Sequence, residues 1–138
     1  MSEDWDHDHL FLRQVNHHHW DGSRPNSQAF VPYPKDDDRV SVDDGTMVSP
    51  EDAWRHFTGT LGFDSVGTWA VSHGEIKGAG DLSVSRSPVS GAPDPARNNP
   101  AHCHIDFSKV SSKGQKRKRA QVLAIRAAER GCLYFGSK

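Results

Sequence analysis

Apolar residues in this chain gather in short windows, and their spacing separates strands from helices. In "HLFLRQV", His9 to Val15, they fall on both parities, Leu10 and Leu12 against Phe11 and Val15. That pattern marks a mostly buried strand, with Arg13 lodged in it. "SQAFVPYP" reads as a short strand held to a sheet edge, because Pro32 and Pro34 cannot donate to a ladder. In "RVSVDDGTMVS", Val40 and Val42 lead into Asp44-Gly45 and Met47 and Val48 leave it, which predicts a hairpin. "SVGTWAV" (65–71) reads as a central strand, "AHCHIDF" (101–107) as another, and "CLYF" (132–135) as a closing one.

Two windows carry helical spacing. Ser49 is placed to cap free amides, Pro50 suits the first helical position, and Glu51 and Asp52 complement the helix N-terminus. Trp54, Phe57 and Leu61 then form one apolar stripe, and Gly59 and Gly62 mark the end. The second helix runs from Ser112 to Arg130, with Gln115 in capping-box spacing and Gly131 as its stop. Between the strands, Gly78 to Pro100 turns rich in Gly, Pro, Ser and Asn. It is expected as a long surface loop, with at most a brief strand at Leu82 to Ser85. These elements predict an α+β fold: one compact domain over 9–136, a mostly antiparallel or mixed sheet of four to six strands, and two helices on one face. Residues 1–8, acidic and His-bearing around Trp5, are expected as a disordered tail.

Composition adjusts this picture in two places. The 138 residues suffice for one domain with a core, although a hydrophobic fraction of 34% leaves part of the chain to loops. Net charge is −1, yet Met1 to Asp64 holds 13 Asp+Glu against 5 Lys+Arg (−8) and Ser65 to Lys138 holds 5 against 12 (+7). Such a dipole orients charged partners. No apolar run approaches the ~18 residues that a membrane span needs. The acidic start "MSEDWDHDHL" is unlike a secretory signal, so a cytoplasmic protein with Cys103 and Cys132 as free thiols is expected.

The densest chemical signal lies on the second helix. Eight of the residues from Lys109 to Arg130 are Lys or Arg, and Glu129 alone is acidic. Lys113, Lys116, Arg117, Lys118 and Arg119 could neutralise phosphates of a nucleic acid or dock an acidic protein surface. The plainer use is a solvated face, since four consecutive cations wrap the helix and no aromatic platform is interleaved with them.

The histidines offer ligand atoms. In "QVNHHHWDG", His17, His18 and His19 are adjacent, so their side chains diverge and converge poorly on one ion. His102 and His104 share one face of a strand and could hold zinc with help from elsewhere. "DDDRVSVDDG" lacks the alternating oxygen ligands of a calcium loop.

Arg13 needs a carboxylate or a bound anion if it is buried. With His18, Ser27 and Glu75 brought near, the set could hold a phosphate or NAD and supply a base. In residue types and chain order, an arginine on the first strand and a later glutamate, this loosely resembles an ADP-ribosyltransferase. The likeness rests on no shared motif.

The leading expectation is a small binding or accessory protein that docks an anionic partner through the basic helix. The alternative is an enzyme acting on a nucleotide or another phosphate-bearing substrate, centred on Arg13 and the histidine loop.

Overall fold

The computed structural model describes residues 5–136. Six strands, β1 (Leu10–Val15), β2 (Arg39–Asp44), β3 (Gly67–Ser72), β4 (Ser83–Arg86), β5 (His102–Asp106) and β6 (Tyr134–Phe135), form one sheet in the order β4-β5-β2-β1-β3-β6. Every pairing is antiparallel. With α1 (Pro50–Arg55), α2 (His73–Ala79) and α3 (Lys113–Arg130), the α+β class is as the pattern predicts.

The helices are three rather than two, and they cover both faces of the sheet. Along β1, Phe11 and Val15 point one way, into a core with Val42, Trp69, Ile105 and the α3 residues Ala120, Leu123 and Ala127. Leu12 points the other way and meets Ala70 and Ala53 of α1. A strand covered on both faces should be buried throughout, and β3 is buried at all six positions. Full burial of Trp69, Phe11, Phe30 and Phe107 supplies about 2–3 kcal/mol each.

Local chemistry explains the departures from pattern. Ser49 caps α1 as expected, its Oγ accepting from Asp52 N at 3.1 Å. The expected hairpin after β2 does not form. Asp44 folds its carboxylate back onto Thr46 N (2.8 Å) and Thr46 Oγ1 (2.7 Å), and the amides of Met47 and Val48 turn to Asp44 O, which leads the chain straight into α1. Residues 27–30 form a tight 3-10 turn under α3 rather than an edge strand, burying Ala29 and Phe30. Ser72 and Glu75 form a reciprocal capping box that starts α2. Of the expected tail, residues 1–4 lie outside the described residues. Trp5 packs edge-on against Phe11 and His9, with ring centroids 4.9 Å apart in each pair. No helix among the described residues is long and apolar enough to cross a membrane.

Candidate functional site

On the α1 face the sheet is roofed by two segments that leave a cavity of about 360 Å³ between them and the strands, within the usual range for small-molecule sites. One segment is a single π-helical turn, His56–Thr60, that prolongs α1 and hands over to Leu61 and Phe63. Turns of this kind are frequent at functional sites. The other is the loop after β4, pinned by a bridge between Val89 and Asn99 and by a 3-10 turn at Pro95–Arg97. Apolar walls come from Leu12, Ala53, Phe57, Leu61, Phe63 and Val89.

The polar groups enter at defined points. Asp43 of β2 stands opposite His102 of β5 in the ladder, so their side chains share this face. Asn99 Nδ2 donates to Asp43 Oδ1 at 2.8 Å. Burial pushes the Asp43 carboxyl up, while that hydrogen bond and the nearby His102 and His56 pull it partly back.

Both imidazoles are held by backbone carbonyls, which fixes their tautomers because a carbonyl only accepts. His102 Nδ1 lies 2.8 Å from Ser87 O, so Nδ1 carries the hydrogen and Nε2 keeps its lone pair when the ring is neutral. His56 Nε2 lies 2.9 Å from Ala96 O, which leaves the lone pair on Nδ1. Ser87 Oγ also sits 2.9 Å from His102 Nδ1 and 3.0 Å from His104 Nδ1. It donates to His104, whose pKa is lowered by burial first and Arg39 next.

Two arginines line the same cavity. Arg97 is anchored by Nη1 to Thr60 O at 3.1 Å. Arg13 fills the gap where β1 and β2 diverge beyond the pairs Phe11↔Asp44 and Leu12↔Asp43. Its Nε donates to Ala29 O at 2.8 Å and its Nη1 to Ser41 O at 2.9 Å, so it stitches the splayed strands through neutral carbonyls. Burial lowers its pKa to about 10, against the pull of Tyr33 and Asp36. Alternation along β1 sets Arg13 on the side of Phe11 and Val15, opposite Trp69, so it borders the cavity from the gap between the strands while its guanidinium is engaged by these carbonyls.

Of the residues predicted for catalysis, Arg13 lines this cleft and the other three are placed elsewhere. His18 is exposed in a 3-10 turn capped by Asn16, whose Oδ1 accepts from His18 N at 2.8 Å. Its neighbour His17 pairs with Asp64 at 2.8 Å. The pKa of His19 is lowered by burial, by Arg13 and by His18. Ser27 lines a separate groove with Arg24 and Gln121. Glu75 is committed to the α2 capping box and to Arg130, at 2.7 Å from Oε1 to Nη1. Its α2 begins beyond Ser72, which pairs with Leu10, three residues from Arg13 on β1.

Of the predicted metal pair, His102 lines the cleft and His104 points from the same face outside the lining. Among the described residues, no three His, Cys, Asp or Glu side chains group so as to hold a metal ion.

The basic helix divides its charges. Lys116 Nζ lies 3.1 Å from Asp38 Oδ1, and Arg119 lies 3.6 Å from Asp81 with a further bond to Gly80 O. These acids offset cations that the helix N-terminus would otherwise repel. Lys113, Arg117 and Lys118 are exposed.

Sequence reasoning missed Asp43, His56, Arg97 and Asn99. Asp43 was hidden in an apparent turn and His56 lay off the apolar stripe of α1. Arg97 and Asn99 sat in the long loop, and that loop's length was the one signal available. Comparison with protein-family models, curated proteins and solved structures finds no match to this chain.

Proposed function

We propose that the chain is an enzyme that binds a nucleotide or another phosphate-bearing ligand in the α1-face cleft and moves a proton there. One observation carries this reading. A carboxyl raised by burial, two imidazoles with fixed tautomers, and two arginines line a single apolar-walled cavity. The cations suit an anionic group, the apolar walls suit a ring, and the imidazole lone pairs suit proton transfer.

The test is thermal shift with nucleoside monophosphates and inorganic phosphate, because a ligand of the native state raises its melting temperature. The expected result is a rise that is lost in Arg97→Gln. An unchanged melting temperature at millimolar ligand, or a rise that survives Arg97→Gln, would count against the cleft.

A second reading, docking of an anionic macromolecule, is supported by one observation: Lys113, Arg117 and Lys118 are exposed and enter none of the ion pairs formed among the described residues. It predicts that Gln at these three positions lowers affinity for a polyanion and flattens its salt dependence. Unchanged affinity would remove it.

A further inference from the structure

We propose that the cleft cleaves a ribonucleotide phosphodiester by using the sugar's own 2′-hydroxyl as nucleophile, with His102 as base and His56 as acid. The inference rests on the preceding reading and names its substrate class and reaction.

The cleft supplies proton carriers and cations, but its own nucleophiles are poorly prepared. Ser41, a hydroxyl in the lining, makes no side-chain hydrogen bond to an imidazole among the described residues. Cys103 is buried and points to the opposite face of β5, into the main core. A substrate that brings its own hydroxyl needs only what is present. It needs a base for that proton, an acid for the leaving oxygen, and positive charge for the phosphoryl oxygens.

The two imidazoles come from different layers. His102 rises from the sheet, whereas His56 comes from the turn after α1 that covers it. Asp43 stands opposite His102 in the ladder, is held by Asn99 Nδ2 at 2.8 Å, and lines the same cavity as both imidazoles. The mouth also bears an aromatic platform. Phe63 is 54% exposed and backed by Phe57 at a centroid distance of 5.2 Å. Exposed aromatic rings of this kind stack the splayed bases of single-stranded RNA.

The step balances without any other reactant. His102 Nε2 takes the proton from the 2′-oxygen, the O2′–P bond forms, and the P–O5′ bond breaks. The departing O5′ receives a proton from the imidazolium of His56. The products are a 2′,3′-cyclic phosphate and a free 5′-hydroxyl, and the imidazoles exchange protons with solvent to reset.

The experiment uses a mixed-sequence single-stranded RNA decamer, its DNA counterpart and its 2′-O-methyl counterpart, each incubated with the full chain. The expected outcome is cleavage of RNA alone, with cyclic phosphate ends. Activity should fall at least about 100-fold in His56→Gln and in His102→Gln, which also rules out a contaminating nuclease. Phe63→Ala, a surface change that should leave the fold intact, should raise KM more than it lowers kcat. If RNA binds in an Arg97-dependent manner but stays intact, this inference fails while the binding reading stands. Equal cleavage of DNA overturns the internal nucleophile. If RNA neither binds nor is cleaved, both readings fall.

Discussion

Replacing Asp44 by Asn tests the charge cluster that ties the start of the chain to the sheet. Asp44 is 0% exposed and gathers donors from three segments. Oδ1 receives His9 Nε2 at 2.7 Å as well as the amide and hydroxyl of Thr46, and Arg86 Nη1 lies 3.0 Å from Oδ2. Arg86 in turn stacks over Trp5, 4.6 Å from the ring centroid. Asn keeps the shape, so only the charge and the acceptor pattern change, and its amide N–H must face one of the existing donors. A hydrogen bond to a charged group contributes about 1.5–3 kcal/mol. Arg86 is 40% exposed and therefore counts for less. The net loss is about 3 kcal/mol. With an unfolding entropy of roughly 2.1 cal/mol/K per residue, this lowers Tm by about 10 °C.

The assay is thermal unfolding followed by circular dichroism at several pH values. Burial alone would raise the Asp44 pKa, but hydrogen bonds from Thr46, His9 and Arg86 outweigh it and hold the carboxyl below its ordinary value. A depressed folded pKa gives stability that is complete above the unfolded value and is lost as pH falls through the folded one. The gap between wild type and Asp44→Asn should thus be full at pH 7 and close in acid. A Tm change of less than about 2 °C at pH 7, or a gap that widens in acid, would refute the assigned role.

Asp43 carries the opposite sign. Its folded pKa is raised, chiefly by burial, so the ionised form weakens the fold above that value and the penalty disappears as pH falls through it. Asp43→Asn should raise Tm at neutral pH, by a margin that fades in acid, and lower the activity proposed for the cleft. A lower Tm at pH 7 would contradict this. Gly67 should tolerate no side chain, since an added Cβ would strike Tyr134 O and crowd Phe135 Cα and Cys132 Sγ. Gly67→Ala should cost about 1–3 kcal/mol in urea unfolding and release β6; stability within 0.5 kcal/mol of wild type would exclude the contact.

Most strands and the helices α1 and α3 were legible because their signals are local and agree with one another. Short apolar windows marked β1, β3 and β5, while Ser49-Pro50 and Ser112 marked helix starts that the structure confirms through their capping bonds. The helix layers were not legible. The stripe of Trp54, Phe57 and Leu61 says that α1 must be covered but not by which face of the sheet, and only the pairing of β1 with β3 settles that. The expected hairpin fails because Asp-Gly fits both a primed turn and an Asx turn, and Asp44 accepts from the amide and hydroxyl of Thr46. The cleft was the least legible part. Asp43 and His102 are 59 positions apart, and only the β2–β5 register makes them neighbours. Arg13 was recognisable because a charge inside an apolar strand demands an explanation. Its use of two carbonyls instead of a carboxylate depends on how β1 and β2 splay.

The most direct test of the cleft is a titration of ¹⁵N-labelled protein with adenosine monophosphate, followed by amide chemical shifts. The proposed function predicts saturable changes at His56, Arg97, Asn99 and His102, with Asp43 among them and the α3 amides of Lys113 to Arg119 unmoved. Changes confined to α3, or none at millimolar nucleotide, would contradict it.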